Sequence, residues 1–159
     1  MNKFILGILF TSVTFFTGYD PAVADTGTVD VTANVEQLVT VTVTAGSNTF
    51  TVTPGSAITD QDIATISIDS NDPTGYDVTL ASANESSVVN GTDGMDYTVK
   101  YNGGSDTVLT SAGVNVEDAS SVTGGPATRS LTLSIAAAET AGRAASAYTD
   151  TITVEIIGK

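Results

Sequence analysis

Ala147-Tyr-Thr-Asp-Thr-Ile-Thr-Val-Glu-Ile-Ile157 places apolar and polar side chains in alternation near the end of the chain. Ile152, Val154 and Ile156 fall on one side of an extended backbone, and the threonine and glutamate between them fall on the other. This period of two is typical of a β-strand with one buried face. The stretch therefore predicts a final strand that begins near Tyr148 and has an apolar inner side.

The segment from Thr28 to Val35 repeats this alternation close to the other end of the sequence. Its polar residues occupy the intervening positions, so one face of an extended strand would be entirely apolar. Strands at both ends of an exported chain suggest that the ends take part in assembly, because an extended segment of one molecule can complete the sheet of another. The residues predicted to act as such a donor strand are Val29, Val31, Ala33 and Val35.

Between these ends the sequence is rich in threonine, valine, isoleucine, serine and glycine, a composition typical of strands and turns. Turn segments such as Asn71-Asp72-Pro73-Thr74-Gly75 and Asn102-Gly103 separate short alternating runs. This pattern predicts an all-β fold, an Ig-like antiparallel β-sandwich with Greek-key connections, and it leaves open whether one edge strand is missing. Besides the two end segments, strands are predicted at 39–44, 49–53, 64–68, 76–80, 97–101, 107–110 and 131–135, a helical turn at 59–62, and loops at 83–96, 111–127 and 136–147.

The first 24 residues have the organisation of a cleaved signal peptide. Lys3 provides a positive start, residues 4–16 are mostly apolar, and Ala22-Val23-Ala24 forms a small-residue cleavage site before Asp25. The apolar run is shorter than a membrane span requires, so we expect export without membrane insertion after cleavage. The predicted organisation is a signal peptide at 1–24, a donor segment at 25–36 and one sandwich domain at 37–159.

Composition limits the chemistry that this chain can perform. It has 18 acidic and 5 basic residues, a formal net charge of −13, so nucleic acid is not expected as a partner. It has no histidine and no cysteine, which excludes disulfides, Ser–His and Cys–His nucleophiles and the usual zinc sites. We therefore predict no cofactor and no enzymatic activity. A hydrolase that uses two carboxylates is the remaining enzymatic alternative.

Asp69, Asn71 and Asp72 form a cluster of oxygen-bearing side chains that could bind Ca²⁺ between loops of the sandwich. The match to an EF-hand loop fails, because Pro73 and Thr74 occupy positions where ligands or glycine are needed. Asx turns, in which these side chains bond to the local backbone, are the other interpretation and the one that we favour.

Three stretches of the sequence together resemble a known family. They are residues 25–35, residues 147–156 and the central run Ile66-Ser-Ile-Asp-Ser-Asn-Asp-Pro-Thr-Gly-Tyr-Asp-Val-Thr-Leu80. In pattern they are similar to the spore-coat-U-like pilins, the major subunits of archaic chaperone–usher pili. The resemblance implies a periplasmic chaperone, an outer-membrane usher and donor-strand exchange between copies. It also implies that the strand bordering the acceptor groove carries Ile152, Val154 and Ile156.

The sequence thus favours an exported structural subunit that passes through the periplasm and polymerises at the cell surface as a pilus or fibre. The main alternative is a self-contained secreted β-sandwich whose first strand pairs within its own sheet. Such a protein would serve as a binding module for carbohydrate or protein. The sequence alone does not decide between a donated and an internally paired first strand.

Overall fold

The computed structural model describes residues 28–159, and the predicted signal peptide lies outside the described residues. The chain divides into two units, residues 1–34 and residues 35–159. Within the first unit, residues 28–34 have no regular secondary structure. The second unit contains every strand described below and one short helix, and no helix among the described residues is long and apolar enough to cross a bilayer.

The second unit is built from two antiparallel sheets. The five-stranded sheet has the order β1-β2-β7-β5-β4, and the three-stranded sheet has the order β6-β3-β8. A single helical turn, α1, spans Ala137–Thr140. The strands are β1 (Val39–Ala45), β2 (Ile58–Ser70), β3 (Tyr76–Ser82), β4 (Ser87–Asn90), β5 (Asp93–Tyr101), β6 (Val114–Ala119), β7 (Ala127–Ile135) and β8 (Ile152–Gly158). The predicted all-β antiparallel sandwich is therefore confirmed.

The core lies between the two sheets and consists mainly of alternate strand residues, most of which the period-two pattern predicts. In β3, for example, Tyr76, Val78 and Leu80 are buried, whereas the residues between them are partly exposed. The central strands of both sheets contribute in the same way, because a sheet that covers a core on one face buries every second side chain. The other buried apolar residues of these strands are Ile63, Ala64, Ile66, Ile68, Met95, Tyr97, Val99, Tyr101, Leu131, Leu133 and Ile135.

Several predicted loops and turns are strands in the structure. The predicted loop at 83–96 contains β4 and the start of β5, and the predicted loop at 111–127 contains β6. Both β4 and β6 lie at sheet edges and have one solvated face, so they carry too few apolar residues for a clear pattern. The predicted helical turn at 59–62 is part of β2, where two register shifts and a positive φ of 49° at Asp60 mark a bulge.

Other predicted strands are shorter than expected or absent. The alternating segment 49–53 is not a strand, although its apolar residues are partly buried. The predicted return strand at 107–110 is reduced to one bridge between Val99 and Thr107. The final strand begins at Ile152 rather than near Tyr148, because the side chain of Asp150 bonds to Ser82 at the end of β3 and to Asn84 in the turn that follows. Residues 28–35, predicted as a first strand, are unpaired in the structure.

Candidate functional site

The edge strands β1 and β8, which belong to different sheets, meet at one end. Gly158 is the contact point on β8, since a Cβ atom there would lie 3.1 Å from Cγ2 of Val39 and 2.6 Å from Oδ2 of Asp72. No side chain larger than hydrogen fits at this position without movement of its neighbours. Gly158 thus allows the two edges to approach each other closely at this end of the sandwich.

A groove with a volume of about 850 Å³ lies where the two edges no longer touch. Val43 and Ala45 of β1 line one side, and Ile152 and Val154 of β8 line another. The floor is formed by buried side chains of the core, so the groove gives direct access to the interior of the sandwich. These floor residues are Ile63, Ala64, Met95, Tyr97, Leu131 and Leu133.

Both strands that border the groove have a free edge. Within the part of the chain that the structure describes, β1 pairs only with β2 and β8 pairs only with β3. The outward-directed amides and carbonyls of each strand therefore lack a ladder partner. A sheet edge of this kind can pair with another extended chain. The groove thus combines an apolar floor with unused backbone hydrogen-bonding groups on two of its borders.

The segment 143–150 forms a further wall of the groove and is held by a carboxylate on β5. Asp93 accepts a hydrogen bond from Arg143 Nη1 at 2.6 Å through Oδ1 and one from the Tyr148 hydroxyl at 2.6 Å through Oδ2. Arg143 also donates from Nε to the carbonyl of Glu139 at 2.6 Å. The hydrogen bonds from Tyr148 and Arg143 hold the pKa of Asp93 below its usual range.

Replacing Asp93 with asparagine is expected to loosen this wall. Because the pKa of Asp93 is lowered in the folded chain, its stabilising effect is present above the ordinary aspartate pKa of about 4 and disappears as the pH falls below it. The wild-type chain should therefore unfold at a higher temperature than the variant at pH 7, and the difference should be smaller at pH 3, below the ordinary aspartate pKa. Thermal unfolding followed by circular dichroism at both pH values measures this. A difference that stays constant with pH would contradict the assignment.

Asp150 fixes the start of β8 at the inner end of this wall. Its Oδ2 accepts from the Ser82 hydroxyl at 2.6 Å and from the Tyr97 hydroxyl at 2.5 Å, and its Oδ1 accepts from the amide of Asn84 at 3.1 Å. Burial and the bond to Asp150 raise the pKa of Tyr97, so the phenol stays protonated and continues to donate. The sequence shows Asp150 only as an acid before a strand, and no local spacing reveals its three distant partners.

The predicted groove-border residues and the predicted donor residues differ in burial. Ile152 and Val154 line the groove, while Ile156 is half-buried and packs against the core on the same strand. The predicted donor residues 29, 31, 33 and 35 are exposed, and Val29, Val31 and Val35 are 87%, 86% and 86% exposed. Arg143, Asp93 and Met95, which border the groove or hold its wall, were not predicted as groove residues, since their sequence spacing gives no sign of the contacts that bring them there.

The side chains of the candidate calcium ligands are engaged in hydrogen bonds within the protein, and of these only the bonds between Thr74 and Asp72 are local. Asn71 accepts from the amide of Leu38 at 2.6 Å and donates to the carbonyl of Glu36 at 2.8 Å. Buried Asp72 accepts from both the amide and the hydroxyl of Thr74, and these bonds lower its pKa. Asp69 is contacted by the Thr123 hydroxyl at 3.4 Å. Among residues 28–159, no three acidic side chains come together in a way that could hold a metal ion.

The fold and this site define an antiparallel β-sandwich with an apolar groove between two free strand edges. No family model, no curated protein and no solved structure matches the chain.

Proposed function

We propose that this protein is an exported structural subunit of a surface pilus or fibre, and that it polymerises by donor-strand exchange. The alternating segment Val29–Val35 of one copy would enter the groove of another copy. The observation that carries the proposal is the groove itself, which has an apolar floor and two bordering strands with free edges. An extended segment with apolar side chains on one face matches both features at once.

The exposed valines of the donor segment supply the energetic reason for exchange. Three of them are almost fully exposed, an unfavourable arrangement for apolar surface in water. Complete burial of one such side chain contributes roughly 1.5–3 kcal/mol. Alternate residues of a strand lie roughly 7 Å apart on one face, so successive valines would reach successive positions along the floor. Backbone pairing with β1 and β8 would add to this.

The alternative is a self-contained secreted binding module that takes a carbohydrate or protein ligand in the same groove. A volume of about 850 Å³ lies within the range of small-molecule sites. We favour a strand as occupant because a small ligand leaves the two free strand edges unused. Under the favoured proposal, a periplasmic chaperone would cover the groove during export and an outer-membrane usher would catalyse exchange. Neighbouring genes for both would support it.

Cysteine cross-linking provides a direct test, because the chain contains no cysteine. The exported chain would carry Val43→Cys in the groove together with Val31→Cys, or with Val29→Cys or Val35→Cys to cover other registers. Facing side chains of paired strands have Cβ atoms about 5 Å apart, within reach of a disulfide. We expect a ladder of covalent multimers on non-reducing gels, which collapses to monomer on reduction.

The matched control is Thr32→Cys combined with Val43→Cys, since residue 32 lies on the opposite face of the donor segment. This pair should give far less cross-linking. A ladder of equal strength with residue 32 would contradict an ordered donor strand. A fast-migrating, internally cross-linked monomer would instead support the self-contained module.

A further inference from the structure

The segment Thr49-Phe-Thr-Val-Thr53, named here the capping segment, covers part of the groove from within the same chain. Phe50 and Val52 are partly buried, pack against the core and line the groove, whereas the three threonines are exposed. The capping segment therefore has the same alternation as the proposed donor segment. It places its apolar face on the same floor, next to Val43 and Ala45 of β1.

Only side chains hold the capping segment in place. Within the described residues, the backbone of 49–52 makes no hydrogen bond to any strand. Two of its flanking bonds are local, from the amide of Asn48 to the carbonyl of Gly46 and from the amide of Ser56 to the carbonyl of Thr53, and a third joins the amide of Gly46 to the carbonyl of Ile63 in β2. Gly46 precedes it, and Gly55, with a φ of 76°, follows it. The segment is thus an apolar cover that is anchored to β2 at Gly46 and ends at the unrestrained Gly55, and its own backbone between them is free to move.

We infer that the capping segment is a replaceable internal cover of the groove, which a paired strand from a second copy displaces. A strand that bonds to the free edges of β1 and β8 gains backbone hydrogen bonds that the capping segment does not make. The cover shields part of the core before assembly and competes with the incoming strand. The identity of the incoming strand rests on the proposed function, whereas the cover itself does not.

The test uses the full mature chain with Phe50→Ser and Val52→Ser. Without its two apolar contacts the cover should open. We expect a severalfold increase in the fluorescence of an apolar dye such as anilinonaphthalene sulfonate and polymerisation at about tenfold lower protein concentration, equivalent to about 1.4 kcal/mol. The control variant, Thr53→Ala, alters an exposed threonine of the same segment that does not line the groove. It should match wild type in both assays.

Slower or weaker polymerisation of the serine variant would overturn the inference, because it would mean that Phe50 and Val52 help to bind the incoming strand. Hydrogen exchange checks that the serine variant is folded, since the backbone amides of β2, β3 and β7 should keep their wild-type protection. Loss of that protection would also overturn it, as these side chains would then be part of the core. If no chain polymerises, the proposed function fails, but a dye signal that rises only in the serine variant still supports the cover. An unchanged dye signal overturns it.

Discussion

A chain with Val31→Asp is expected to lose polymer formation while its sandwich remains folded. Val31 is 86% exposed and lies in the unit 1–34, whereas every strand found among residues 28–159 belongs to the unit 35–159. In the proposed polymer this side chain would enter an apolar groove, where an aspartate must either lose hydration or take up a proton. A cost of at least about 4 kcal/mol corresponds to a loss on the order of a thousandfold in affinity between copies.

Light scattering after size exclusion and electron microscopy of the purified chain would measure the loss of polymer. The matched control is Thr32→Asp, which adds the same charge on the opposite face of the donor segment and should still polymerise. Thermal unfolding separates the two main interpretations. If the wild-type chain is always monomeric and Val31→Asp lowers its unfolding temperature, Val31 belongs to a sheet of its own molecule, as in the self-contained binding module.

The period-two pattern predicted the buried faces well, because burial of alternate residues depends on each strand alone. Ile66, Val78, Val99 and Leu133 all lie on the inner faces that their alternation indicates. The pattern could not predict which alternating segments pair with a neighbouring strand. Residues 49–53 alternate as clearly as β1 does, yet their backbone pairs with no described strand, although β2 continues beyond Ala64, the last residue that pairs with β1.

The site residues could be predicted only in part, because contacts between distant segments do not show in a local pattern. The alternating run predicted that Ile152 and Val154 face inward, whereas their place at the border of a groove was only implied by the family resemblance. The polar groups that hold the groove wall could not be predicted, since Asp93 and Arg143 are 50 residues apart in sequence and are joined only by the fold. The role of Gly158 could not be predicted either, because it depends on the close approach of Val39 and Asp72, which are distant in sequence.

The other large expected effect concerns Glu117, which joins the two sheets away from the groove. Its carboxylate on β6 accepts two hydrogen bonds from Arg129 of β7, at 2.9 Å from Nε and 2.7 Å from Nη2. It also accepts from the hydroxyls of Tyr76 at 2.9 Å and Tyr101 at 2.5 Å. Burial alone would raise the pKa of Glu117, but the four donors hold it below its usual range.

Glu117→Gln should destabilise the fold by about 3 kcal/mol, because it leaves the guanidinium of Arg129 with no charged partner. The two side chains are only 17% and 21% exposed, so water can compensate little. Urea unfolding at pH 7 measures the loss. The lowered pKa of Glu117 means that its stabilisation is lost as the pH falls through the folded pKa, so wild type and variant should converge in acid.

Two further variants decide whether charge pairing is the cause. Asp118→Asn removes a charge from the next residue of β6, whose side chain is 75% exposed, and should cost less than about 1 kcal/mol. Glu117→Leu with Arg129→Met replaces both charges by apolar groups and should recover most of the loss, since no charge is then left unpaired. If the double variant is as unstable as Glu117→Gln, the four hydrogen bonds and their geometry, rather than an unpaired guanidinium, account for the stability of this connection.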